Sequence, residues 1–164
     1  KRWMYEESLR TPLIVKWPGH VEPGTKNTTD IVSNLDFAQT FLDIAGIEQS
    51  GDMQGASLVP LLKGESPPDW RKTFYYHYYE FPGYHSVARH YGVTDGTHKL
   101  IHFYGPAHGG GEYDEWELFD LVKDPDELNS EFDNPEYIGI RKAMEAELAR
   151  LREHYQVPEV DPES

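Results

Sequence analysis

The stretch HYGVTDGTHKLIHFY, residues 90–104, decides the architecture. Two runs of β-forming residues, His90–Val93 and Lys99–Tyr104, flank Asp95-Gly96. An Asp-Gly pair between strand signals is a strong hairpin cue, because glycine takes the positive φ that such a turn demands. A further β-rich run precedes this hairpin, TFYYHYY at 73–79, and another follows it, WELFDL at 116–121. Gly109-Gly110-Gly111 and Asp124-Pro125 punctuate the connections. Strands in succession with turn signals between them predict a four-stranded antiparallel sheet.

A helix follows with a legible start: Asn134 as N-cap, Pro135 at the first position and Glu136 in the first turn. Tyr137, Ile140, Met144, Leu148, Leu151 and Tyr155 recur at spacings of three and four, a single stripe that would cover one face of the sheet. Val157-Pro158 ends it.

Upstream the character differs. Leu13–Trp17 reads as a strand closed by Pro18-Gly19, and His20–Thr29 as a surface loop. Asn27-Thr28-Thr29 fits an N-glycosylation acceptor, a short and common pattern. Phe37, Phe41, Ile44 and Ala45 have helical spacing and Gly46 stands at the C-cap, so a short amphipathic helix is expected. Leu58, Val59, Leu61 and Leu62 form a small apolar cluster before the break Gly64-Glu65-Ser66-Pro67-Pro68. The expected boundary lies there, separating residues 1–64 from an α+β subdomain, 65–164.

The chain has 164 residues, enough to bury roughly 70% of its unfolded surface. Its net charge of −14 argues against nucleic acid as a general partner, since such binders carry a basic footprint. No apolar run reaches membrane-spanning length. Without cysteine there can be no disulfide, zinc–thiolate site or cysteine nucleophile in this stretch. Aromatic residues make up 13%, and these rings must be packed inside or offered to a flat ligand such as a sugar.

Arg89-His90-Tyr91, at a loop-to-strand junction, offers a guanidinium fork and a titratable donor for an oxyanion or sugar. Pairing of Arg89 with one of the many acids is the competing reading. His77 is an ionisable ring within a run that otherwise reads as buried, and the tyrosines around it could stack a sugar or simply pack the sheet. His98 and His102 share a strand face but sit too far apart to hold one ion, so no metal site is expected. The acidic runs 112–115 and 124–131 read as solvated turns, lacking the alternating ligands of a calcium loop.

Read together, KRWMYEESLRTPLIVKWPG (1–19), DIVSNLDFAQTFLDIAGI (30–47), MQGASLVPLLKGE (53–65), YYHYYEFPGYHSVARHYGV (75–93), HKLIHFYG (98–105) and WELFDLVKDPDELN (116–129) resemble the C-terminal part of a type I, formylglycine-dependent sulfatase. Among sulfatases they resemble most the bacterial N-acetylglucosamine-6-sulfatase-like group. The resemblance implies an α/β plus α+β fold: the tail of an alkaline-phosphatase-like α/β domain, then a four-stranded antiparallel sheet with a packed helix. It implies hydrolysis of sulfate esters on a sulfated, glycosaminoglycan-like saccharide, with calcium and formylglycine as cofactors and a periplasmic or extracellular setting.

By the same resemblance Lys1 is the sulfate-contacting lysine, and Arg89, His90, His85 and His77 line the sugar side. Ala88 stands where a basic residue is usual. The nucleophile motif C/S-x-P-x-R is absent and the calcium ligands belong upstream, so an N-terminal catalytic part is the implied partner and this chain alone is expected to be inactive. Two alternatives remain: a non-catalytic glycan- or partner-binding module, and a phosphonate or phosphate monoester hydrolase of the same superfamily.

Overall fold

The computed structural model describes residues 2–159 and 161. Contacts divide the chain into two compact units, Lys1–Pro12 with Thr73–Ser164, and Leu13–Lys72. Residues 2–12 therefore group with the sheet, whereas the reading from sequence grouped residues 1–64 together.

In the first unit, β1 (Phe74–Tyr78), β2 (His90–Thr94), β3 (His98–Pro106) and β4 (Glu112–Asp120) form an antiparallel meander in the order β1-β2-β3-β4. The Asp95 turn is fixed by its own carboxylate, which accepts from the Thr97 and His98 amides at 2.7 and 2.6 Å, while Gly96 takes φ 84°. β3 and β4 pair out to Pro106 opposite Glu112, so the acidic run 112–115 is strand and not turn. Its acids sit on the last-paired end of the sheet, where an outward side chain meets water and a charge is tolerated.

Residues two apart share a sheet face, and here both faces are covered. On one, Val93, Leu100 and Leu118 pack under α4 (Ile138–His154) through Met144, Leu148 and Leu151, with Tyr137 from the preceding 3-10 turn. The stripe expected from sequence is the one buried. Asn134 caps as its position implies, its Oδ1 accepting the Glu136 amide at 3.0 Å. On the other face, Ile101, Phe103 and Phe119 pack against Met4, with Tyr5 and Leu9 alongside. Residues 5–9 include a single helical turn, α1 (Glu6–Leu9). Gly92 makes this close approach possible: a Cβ there would overlap the Leu100 carbonyl and the Met4 sulfur.

The second unit is small. α2 (Asp36–Ile44) and α3 (Val59–Leu62) surround a minor core of Leu58, Leu61 and Trp70. The Asp36 carboxylate is fully buried and accepts from Ser33 N, Ala56 N and both terminal nitrogens of Arg71. Thr40 Oγ1 accepts from Leu58 N at 2.8 Å.

One expectation fails in this unit. Leu13–Trp17 is not a strand; it has no ladder partner among the described residues, and Ile14 is 89% exposed. α2 exists where expected, but it buries Asp36, Gln39 and Thr40 and turns Phe37, Phe41 and Ile44 outward, Phe41 being 70% exposed. The polar side is satisfied by hydrogen bonds within the unit, while no described element of the unit covers the apolar side. Those side chains, with Leu13–Trp17, Leu58 and Leu62, line an open groove of about 470 Å3.

Candidate substrate-side site

Lys1 lies outside the described residues. The segment after it runs over the sheet and is tied down residue by residue. The Arg2 carbonyl accepts from Tyr76 OH at 2.7 Å, and Arg2 Nε lies 3.6 Å from Glu80. Trp3 stacks on His90, centroids 5.6 Å apart and planes 19° from parallel. Tyr5 OH donates to Glu117 at 2.8 Å; burial and that carboxylate push the phenol pKa up. Glu6 meets Lys99 Nζ at 2.8 Å.

His90 is fully buried, with the rings of Tyr76, Tyr78 and Phe103 around it. Its Nδ1 donates to the Ala88 carbonyl at 2.8 Å, which fixes the tautomer with Nε2 as acceptor. No described residue gives Nε2 a hydrogen bond. Burial lowers the imidazole pKa, opposed in part by the Ala88 and Arg2 carbonyls, so the ring is neutral at neutral pH.

His77 lies on the other face. Register places it opposite Tyr91, one residue beyond His90, so period two separates the two histidines. Tyr104 OH donates to Asp161 at 2.6 Å, so His77 Nε2 donates to Tyr104 at 2.7 Å and Nδ1 accepts from Tyr75 OH at 2.9 Å. Burial pulls its pKa down to about 4, against the opposing pull of Asp161. Arg89 joins the same cluster, Nη1 to Asp161 at 3.3 Å, with Nε buried and unbonded among the described residues. Pairing with an acid, the competing reading for Arg89, is thus what its guanidinium does in this structure.

His85 sits on the β1–β2 loop, exposed, its ring edge-on to Tyr84 at 5.0 Å. Tyr84 is 93% exposed. The β3–β4 loop meets this one through His108, which hydrogen-bonds the Ser86 carbonyl and packs on Phe81 at 4.9 Å. The tyrosines of β1 itself are half-buried within the sheet. Of the five residues expected at the site, then, Arg89 and His77 come together on one sheet face. His90 lies beneath Trp3 on the other, and His85 stands apart on a loop.

Lys99 was not among the expected site residues, yet it is the largest fully buried side chain in the chain's described part. Its neighbours in period two, Ile101 and Phe103, are apolar, and a lysine in register with them is the sequence signal of a buried charge that needs carboxylates. Glu127 supplies one at 2.7 Å and is itself buried, correcting the view of 124–131 as a wholly solvated turn.

His98 and His102 have separate partners: Asp95 for the first at 3.7 Å, Asp114 and Tyr91 for the second at 2.8 Å each. No group of three His, Asp or Glu among the described residues is placed to hold a metal ion. Calcium and a formylglycine therefore do not fit the residues present, the latter because it needs a Cys or a motif Ser that this sequence lacks.

The four-stranded antiparallel sheet with a packed helix is the architecture this chain shares with alkaline-phosphatase-like sulfatases. Residues 1–154 match the family model described as N-sulphoglucosamine sulphohydrolase, C-terminal, and the chain belongs to that family. It is 46% identical over 158 residues to the N-acetylglucosamine-6-O-sulfatase of Bacteroides thetaiotaomicron, covering 95% of this chain and 27% of that protein. It is also similar to the solved structure of BT4656 in complex with its substrate D-glucosamine-2-N,6-O-disulfate, with 44% identity and a TM-score of 0.89 over 99% of this chain and 32% of the other. The phosphonate monoester hydrolase of Agrobacterium radiobacter is more distant: 25% identity, TM-score 0.55, 73% of this chain and 24% of that one. The chain thus spans about a third or less of the proteins it resembles.

Proposed function

We propose that this chain is the substrate-side portion of a sulfatase that hydrolyses sulfate esters of an amino-sugar-containing, glycosaminoglycan-like saccharide. The observation that supports it is the match along nearly the whole chain to a protein bound to a glucosamine disulfate. In this reading Lys1 is a point donor to a sulfate oxygen, stabilising charge that spreads over oxygens in the transition state. His85 and the exposed Tyr84 face the sugar from the β1–β2 loop, and His90 and Arg89 shape that side from the strand behind it. His77 acts through Tyr104. The 1–64 and 65–164 division is retained as a division of family domains.

The nucleophile and calcium belong to a preceding catalytic part, so the chain alone does not turn over substrate. The outward apolar side of α2 supports this, because exposed patches of that kind mark a surface meant to be covered. The higher identity and TM-score of the sulfated-sugar complex favour sulfate over a phosphonate ester.

The test is sulfate release from glucosamine 6-sulfate by the full-length protein and by residues 1–164. Release by the former only is expected. Release by the isolated chain, or a preference of the full-length protein for phosphonate monoesters, would overturn the reading.

A further inference from the structure

We infer that Lys99, held between Glu6 and Glu127, is a positioning residue that sets the register of the segment carrying Lys1. The inference rests on the sulfate-contacting role proposed above for Lys1. The Lys99 ammonium has no exposed surface and lies 2.8 Å from Glu6 Oε1 and 2.7 Å from Glu127 Oε1. The second oxygen of Glu127 accepts the Glu6 amide at 2.6 Å. One carboxylate thus holds both the lysine of β3 and the backbone of the segment. Glu127 does so from φ 53°, a left-handed conformation unfavourable for a residue with a Cβ.

Adhesion does not require these charges. Met4, fully buried over Gly92, already docks the segment by hydrophobic contact. Burying an ammonium and carboxylates contributes little net stability, because desolvation cancels most of the attraction. What the ion cluster adds is direction. Apolar contact tolerates sliding, whereas an ammonium between two carboxylates, with an amide on one of them, fixes the segment along the sheet. The Tyr5–Glu117 and Tyr76–Arg2 hydrogen bonds flank it on the same segment. Lys1 stands five residues before Glu6 in the sequence, at the head of the segment that the cluster holds.

The experiment uses the full-length sulfatase with Lys99→Met and the volume-preserving Glu127→Gln, each read per folded enzyme. The expected result is a fall in kcat of about tenfold or more with KM for the sulfated sugar changed far less, as misplacing a catalytic group by about 1 Å can cost 100-fold. The loss should vanish in a Lys1→Ala background, because both changes act through Lys1. Faster amide exchange at residues 3–6 in Glu127→Gln should accompany it. If those amides loosen while kcat per folded enzyme is unchanged, or if the Lys1 and Lys99 losses multiply, the inference is overturned. Full activity in Lys1→Ala alone would instead bring down the role of Lys1, and the inference with it.

Discussion

The Trp3 indole lies over the His90 imidazole, and this stacking seals a neutral histidine into the back of the sheet. Replacing Trp3 by Ala should open that ring to water. The expected outcome is a loss of about 1–2 kcal/mol of stability, less than for a fully buried aromatic. The His90 pKa should rise toward its ordinary value as desolvation is relieved, which histidine ring resonances in an NMR titration would follow. An unchanged titration would mean that Trp3 is not the seal.

His77 and His90 both have folded pKa values below that of a free histidine, His77 at about 4. As pH falls below about 6.5 the unfolded chain takes up protons that the folded chain refuses, so stability is full above that pH and declines toward 4. His77 accounts for a decline of order 2 kcal/mol, after discounting for partial solvent screening. Urea midpoints of the parent and His77→Gln, compared near neutrality and near pH 4, isolate this from the carboxylates: the variant should show the shallower decline. A steeper decline in the variant would contradict the assignment of His77 as a buried neutral ring.

Gly92→Ala should cost about 1–3 kcal/mol, because the new methyl meets the Leu100 carbonyl as well as Met4. Trimming Met4 to Ala in the same protein should not restore the loss, since the backbone overlap persists. Chemical denaturation of the single and double variants reads both terms, and full rescue would place the whole conflict at the sulfur.

Asp36→Asn removes the charge facing Arg71 inside the second unit. Breaking a buried pair from one side costs about 3–5 kcal/mol, as the remaining ion is left uncompensated. Arg71→Met with Asp36→Asn should cost less than Asp36→Asn alone, a sign reversal that a double-mutant cycle in urea would detect.

Phe41→Gln should act differently in two contexts. In residues 1–164 alone the ring is exposed, so the change should reduce binding of a hydrophobic dye and leave stability nearly unchanged. In the full-length protein the same change should destabilise by about 2–4 kcal/mol if the face is covered there. Equal effects in both contexts would mean that nothing covers α2.

The sheet was legible because each strand announces itself locally, by β-forming residues between turn signals, and because Asp95-Gly96 fixes which strands are neighbours. The long helix was legible for the same reason: its stripe and its Asn134 cap are written within about twenty residues. What was not legible depends on distant partners. Periodicity reports that Phe37, Phe41 and Ile44 share a side of α2, but not what covers that side. The placement of Met4 under β2 and of Glu6 against Lys99 joins residues some ninety apart, which no local pattern encodes. Register had the same effect on the site: the sulfatase resemblance grouped His77 with His90, yet a one-residue offset opposite Tyr91 sends them to opposite faces.

Because residues 2–9 complete the back of the sheet, the unit that carries the β1–β2 and β3–β4 loops is discontinuous in sequence, and Leu13–Lys72 is an excursion between its two pieces. A recombination that cuts near Gly64 would transplant the hairpin loops without their backing strip, uncovering Ile101, Phe103 and Lys99 together. Productive exchange among relatives must therefore move both pieces or neither. The tips of the β1–β2 and β3–β4 hairpins are where the unit can lengthen or change residue while the paired strands beneath them stay in register.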